Sequence, residues 1–237
     1  MILSCLMVGF SAGAQQVHSK TSDTKEQSYI GITGGFSPVF GNYAKTDYGD
    51  PKSGFAASGL NFGVTGVYFV KGHFGVKGLV SLNAFGFHGG QNLADGYKEA
   101  FDLDEATFTQ KGNNQTFNIL VGPSYSFPFA QRFHFDLSVL VGYTHAQLAG
   151  NEILLEDESK IEQEKSVASA FGYQLGAGVR YDLGNHFGLG LSAGYFGAKP
   201  DFKIENKNRV NEAGRRLNDY HQTIQSVNLN LTVSYRL

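Results

Sequence analysis

The residues best placed to do chemistry in this chain are charged side chains set into runs where apolar and polar residues alternate. Lys77, Asp136 and Arg180 each sit on the polar phase of such a run, about four residues from a short connection, with Asp182 and Arg236 nearby. If that phase faces an interior, three cations and two carboxylates share one layer there. Buried charge is tolerable only when opposite charges pair and hydrogen-bond, so these five residues are expected to form an ionic network. Two other readings use the same residues: they line a narrow gated conductance, or they point to water at a rim. Nucleophilic catalysis would need a Ser or another nucleophile beside a His that a carboxylate orients. His134 and Asp136 share a face but have no evident nucleophile, and His145 has no acid near it in sequence. No Cys/His spacing suggests zinc. Asp102-Leu103-Asp104-Glu105 lacks the glycine and the ligand number of a calcium loop. Gly176-x-Gly178 and Gly188-x-Gly190 fall inside extended runs and are not phosphate loops. No catalytic, cofactor or metal site is expected.

The elements that must position these residues are strands. Eight amphipathic segments are predicted: 29–39, 58–70, 74–87, 115–127, 133–147, 168–183, 187–197 and 223–237. In the sixth, Phe171, Tyr173, Leu175, Ala177, Val179, Tyr181 and Leu183 fall on one face and Gly172, Gln174, Gly176, Gly178, Arg180 and Asp182 on the other. The last run, Ser226–Leu237, alternates throughout without Gly or Pro. A helix would need apolar spacing of three and four, which these runs lack. Their connections alternate in length: 71–73, 128–132 and 184–186 are short, whereas the others run to roughly 18–27 residues, far beyond ordinary hairpins. Every long loop therefore falls at one end. Each segment supplies the 9–11 or so residues that a membrane-spanning strand needs. Aromatics cluster at both segment ends, Phe74, Phe127, Phe133, Tyr181, Phe187 and Tyr235 at one, Phe87, Phe117, Tyr143, Phe171 and Tyr195 at the other, which suggests two interfacial girdles. The apolar phase of the third segment slips at Phe85, implying a β-bulge. Pro123 inside the fourth implies a local break or bulge. A short helix is expected over residues 153–167.

Composition agrees without deciding. The net charge is −2, so nothing favours nucleic acid, whose binders are usually strongly basic. No run of 18 apolar residues is present, so no transmembrane helix is expected. A membrane barrel keeps such modest hydropathy because only alternate residues of each strand meet lipid. Residues 2–10 are apolar and are followed by Ala12-Gly13-Ala14, so 1–14 reads as an export signal and 15–28 as a disordered leader. Cys5 is the sole cysteine and leaves with that signal, so no disulfide is expected.

Ala12-Gly13-Ala14-Gln15, the Gly-rich opening Tyr29–Phe36, the tight turns and the terminal Leu229–Leu237 strand resemble the small outer-membrane β-barrel proteins often labelled porin family, relatives of the OmpA/OmpX-type barrels. The family's terminal strand usually ends in an aromatic; here Leu237 stands in that place, two after Tyr235. The resemblance covers residues 29–237 and implies an eight-stranded antiparallel up-and-down barrel, with short periplasmic turns and four long outer loops, in the outer membrane of a Gram-negative cell. No periplasmic domain is implied after the barrel. Eight strands enclose an interior that side chains can fill. The expected role is structural or surface-interactive, not enzymatic, with outer-membrane lipid, lipopolysaccharide and the barrel-assembly machinery as partners, and no nucleic acid. The loops carry most of the exposed charge, acidic over 88–113 and 148–167 and mildly basic over 198–222; they offer a surface for lipopolysaccharide, divalent cations or an extracellular ligand. Alternatives are a narrow-pore channel, a barrel enzyme acting on outer-membrane lipid, or a secreted barrel holding an apolar ligand. The last would have to pack its Phe, Tyr and Leu face inward.

Overall fold

The computed structural model describes residues 26–156, 158–208 and 216–237. The export signal and all but the last three residues of the leader lie outside this range. In chain order the elements are β1 (Tyr29–Ser37), β2 (Ala56–Lys71), β3 (Phe74–Phe87), α1 (Gly90–Phe101), β4 (Ala106–Lys111), β5 (Asn114–Ala130), β6 (Phe133–Leu148), β7 (Gly150–Leu155), β8 (Lys160–Gln163), β9 (Ser166–Leu183), β10 (Phe187–Ala198), β11 (Asp201–Asn208), β12 (Arg216–His221) and β13 (Ile224–Arg236). Eight of them close into an antiparallel barrel in the order β1-β13-β10-β9-β6-β5-β3-β2, with β1 pairing β2 to seal the ring. Consecutive barrel strands are neighbours throughout, an up-and-down topology. Closure satisfies every strand edge, as hydrocarbon surroundings require.

The alternation decides which face is which. Val139 and Leu175 are each 50% exposed on the outside, while their neighbours Leu140 and Gln174 are 0% and 5% exposed on the inside. Leu229, Leu231, Val233 and Tyr235 face outward, and Ser226, Asn228 and Ser234 inward. The outer surface is therefore an apolar band, the arrangement opposite to that of a water-soluble barrel. Aromatics ring it at both ends: Phe74, Phe127, Phe133, Phe187 and Tyr235 are exposed by the short turns, and Phe117, Tyr143 and Phe171 toward the long connections.

Two local expectations change. The β3 register runs unbroken against β5 through Phe85↔Asn114, so β3 has no bulge. The irregularity lies opposite, on β2 between Ala57 and Gly59. Phe85 breaks the apolar phase because it points inward, where it is buried against the ring of Tyr43 at 5.4 Å. Pro123 interrupts the β5–β6 ladder without moving it: Val121↔Val141 and Ser124↔Ser138 keep one register across the gap. A proline has no N–H to give the ladder, and that local loss is all it causes.

The long connections are folded. Strands β12-β11-β8-β7-β4 form a second, five-stranded sheet outside the barrel, on which α1 packs. Its core is Ile153, Leu155 and Ile161, with Leu93, Tyr97 and Phe108 against them. The described residues of 153–167 form no helix but the end of β7, the strand β8 and the start of β9, with Ile153 paired to Ile161. Ile153 and Leu155 alternate as strand residues do, and their shared face meets α1. The one helix of this region lies earlier in the chain. Leu93, Tyr97 and Phe101, four apart, form its stripe, and a left-handed residue at each end, Gly89 (φ 74°) and Asp102 (φ 55°), bounds it.

Candidate functional site

The barrel interior is the place where this chain gathers chemistry. Because β-strand side chains alternate, each barrel strand sends every second residue inward, and register decides which inward residues meet at one level. Pairings His134↔Arg180, Phe187↔Leu183 and Phe187↔Tyr235 bring the short-turn ends of β6, β9, β10 and β13 together.

Arg180 is the hub of that end, 3% exposed. Its Nε donates to Asp136 Oδ2 at 3.2 Å and its Nη1 to Asp182 Oδ1 at 3.1 Å. Its Nη2 donates to Ser126 Oγ at 3.3 Å and to Glu26 Oε1 at 3.3 Å. The guanidinium also lies 4.9 Å from the ring centre of Tyr29. Asp182 is shared: its Oδ2 accepts from Arg236 Nη1 at 3.0 Å and sits 2.9 Å from His134 Nε2. Such a planar fork of donors suits several carboxylates at once and fixes their directions, which the point charge of a lysine does not.

Of the five residues expected in this layer, Asp136, Arg180, Asp182 and Arg236 are joined by these contacts. Lys77 stands apart. It has no ion-pair partner within 4.0 Å among the described residues and faces, with Asp136, a cavity of about 50 Å³. Asp136 Oδ1 is buried without a hydrogen-bond partner among the described residues. The cavity exists where β9 and β10 turn Gly176, Gly178, Gly190 and Gly194 inward, and it has room for a few water molecules.

Three further residues belong to the layer beyond the five expected there. Glu26 precedes the first strand, so no alternation assigns it a face. Its Oε1 lies 3.2 Å from His134 Nδ1 and its Oε2 3.3 Å from His73 Nδ1. His73 belongs to a tight turn, and only the closed ring brings it to Glu26. His134 shares the inward face of Asp136 but binds Asp182 on the next strand instead.

Above the cavity comes a layer of neutral polar residues. Ser37 Oγ donates to Asn228 Oδ1 at 2.7 Å and accepts from Asn61 Nδ2 at 3.0 Å. Across the lumen Thr144 Oγ1 donates to Asn118 Oδ1 at 2.9 Å, and Asn83 Nδ2 to Thr116 Oγ1 at 3.0 Å. The outer mouth is apolar. Tyr43, on a short 3-10 turn at 41–43, folds in over Phe85 and joins Phe196, Phe202 and Ile224 in one buried cluster. Burial pushes the Tyr43 phenol above its ordinary range, and that of Tyr220 likewise, so both stay neutral. Tyr220 donates to Ser53 O at 2.8 Å, tying β12 to the loop that follows Tyr43.

Nucleophile geometry is incomplete. His134 Nε2 lies 2.9 Å from Asp182 Oδ2, and its Nδ1 has no hydrogen-bond partner among the described residues, so no nucleophile is bonded to the ring. On the outside, Ser169 Oγ lies 3.4 Å from His145 Nδ1 and 2.7 Å from the Tyr143 hydroxyl. No carboxylate partners His145 among the described residues, so the orienting third group is missing there. Among the described residues no cluster of His, Cys, Asp and Glu could hold a metal ion.

A family model described as "Outer membrane protein beta-barrel domain" matches residues 2–236. Among solved structures, a major outer membrane protein from Thermus thermophilus is 14% identical, with a TM-score of 0.52 over 90% of this chain and 100% of that one. Ail, the attachment invasion locus protein of Yersinia pestis, is 15% identical with a TM-score of 0.43, covering 90% of this chain and 100% of its own. OprG from Pseudomonas aeruginosa is 15% identical with a TM-score of 0.45, covering 90% and 97%. At such identities the likeness concerns the fold alone. No curated protein matches the chain.

Proposed function

Because the chain belongs to the outer membrane protein β-barrel family and resides in the outer membrane, we propose that it works with its lumen shut, in a structural or surface-interaction role carried by its folded outer cap. The observation behind this reading is the stacking of three kinds of side chain across the lumen. An ionic layer fills the short-turn end, Asn, Thr and Ser the middle, and Tyr43, Phe85 and Phe196 the outer mouth. A cavity of about 50 Å³ beside Lys77 interrupts them. An ion crossing this path would have to break paired charges and then displace a buried aromatic cluster, and both steps are costly.

The apolar band meets lipid, and the cap meets the lipopolysaccharide layer and whatever approaches from outside. The barrel-assembly machinery would act on the terminal β13. The protein is not an enzyme in this reading, since neither His134 nor His145 has the company a nucleophile needs. The test is electrical. Purified, refolded barrel in planar lipid bilayers is expected to give no step conductance. Reproducible single-channel steps would overturn the shut lumen in favour of a narrow pore, and an altered lipid A profile on expression would overturn the non-enzymatic reading.

A further inference from the structure

We infer that the short-turn mouth of the barrel is a carboxylate-binding site, and that Glu26 of the same chain is its tethered occupant. This deepens the shut-lumen reading and rests on it. The first support is charge. The barrel wall supplies the cations Lys77, Arg180 and Arg236 and the carboxylates Asp136 and Asp182 to this layer, three against two. One positive charge remains, and no strand residue at that level offsets it. Glu26, which lies before β1, adds a third carboxylate at that end of the lumen.

The second support is geometry. Three nitrogen-bearing side chains from three separate elements surround the Glu26 carboxylate, and one of them, Arg180, donates a hydrogen bond to it. Arg180 on β9 and His134 on β6 meet Oε1 at 3.3 and 3.2 Å, and His73 in the β2–β3 turn meets Oε2 at 3.3 Å. A carboxylate is the anion whose two oxygens can face the guanidinium and both imidazoles at once. Arg180 and His134 are also held in place independently of Glu26. Asp136, Asp182 and Ser126 all grip Arg180, and Asp182 grips His134. Removing Glu26 would therefore leave a preorganised site.

The third support is how Glu26 is presented. Its backbone N–H donates to Gly72 O at 2.9 Å; two residues on, Ser28 O accepts from Leu237 N at 2.8 Å and Ser28 Oγ from Phe69 N at 3.1 Å. The segment is clipped across the mouth by its backbone, and only one side chain enters. Its side chain is 11% exposed, whereas that of His73 is 33% exposed, so solution reaches the site from the His73 side. The ligand class is a small carboxylate, or the free carboxylate end of a peptide on the short-turn side of the membrane. Either would compete with the high effective concentration of a tethered Glu26.

Acetate titration of the folded full chain in detergent, read by NMR of the His73 and His134 imidazoles, tests this. Heat-modifiable migration first establishes that each protein is folded. Glu26→Ala is expected to show saturable shifts confined to those two rings, with an apparent dissociation constant at least about tenfold below that of the wild type. Chloride at matched ionic strength is expected to leave them unmoved. Glu26→Gln, nearly isosteric and uncharged, gives a second reading with the same expected order should the alanine variant not fold. Identical titrations of variant and wild type, absence of saturation, or equal shifts with chloride would overturn the site. Bilayer conductance of the wild type is read separately: steps there would sink the shut lumen, and the acetate titration decides only the carboxylate site.

Discussion

Arg180 carries the largest consequence of any single side chain here. It compensates Asp136, Asp182 and Glu26 together in a largely buried layer. Arg180→Leu removes one side of that network and leaves carboxylates buried without a counter-charge, a loss of about 3–5 kcal/mol. Urea unfolding in detergent, followed by heat-modifiable migration, is expected to register it. Arg180→Lys should recover only part, since an ammonium cannot serve three carboxylates from one plane. Outside the membrane, His221 lies 2.6 Å from Asp201 on the exposed β11–β12 ladder, and that hydrogen bond raises its pKa above the ordinary 6.5. A folded value above the unfolded one means that the contact helps below the ordinary value and is lost as pH rises through the raised one. NMR titration is expected to place the His221 midpoint above 6.5, and Asp201→Asn to bring it back. Equal midpoints in the two proteins would refute the pairing.

At the scale of elements, the long connections form a cap with its own core, and that core is separable from the barrel. Ile153→Ala deletes most of a fully buried side chain among Leu155, Ile161 and Phe108, at a cost of about 2–5 kcal/mol. Limited proteolysis should then cut within residues 90–163 while the barrel keeps its folded migration. Loss of both together would show cap and barrel to be one cooperative unit. The cap was only partly legible in the sequence. Alternation marked the eight spanning strands because one face of each meets hydrocarbon, a strong and periodic demand. Strands β7, β8 and β4 are four to six residues long, too short for a period of two to stand out from chance. The stripe Leu93, Tyr97, Phe101 did carry a helical spacing, but it lay in a connection expected to be irregular.

For the whole molecule, the outward apolar face is the assignment on which location depends. An arginine facing lipid near the midplane costs roughly 2–4 kcal/mol, so Leu175→Arg or Val139→Arg should abolish stable insertion while Leu175→Phe should not. Membrane fractionation and heat-modifiable migration would check this, and equal insertion of all three variants would remove the basis for the facing. The ring also explains why an eight-stranded interior can be filled. Inward residues from neighbouring strands lie close enough to pair, and Arg180 reaches partners on β5, β6 and the segment before β1.

The amino-acid sequence on its own determined the number of barrel strands, their facing and the uneven lengths of the connections, because each follows from local periodicity and from turn residues near in the chain. It also placed Lys77, Asp136 and Arg180 at a common depth, with Asp182 and Arg236 nearby, since depth is counted along each strand from its turn. Which charges meet was left to closure. Glu26 and His73 lie outside any alternating run, and Lys77 was grouped with a network from which it stands apart across the cavity. Pairing between residues as far apart as Glu26 and Arg180 depends on how the ring closes and in what register, and these are set by all eight strands at once.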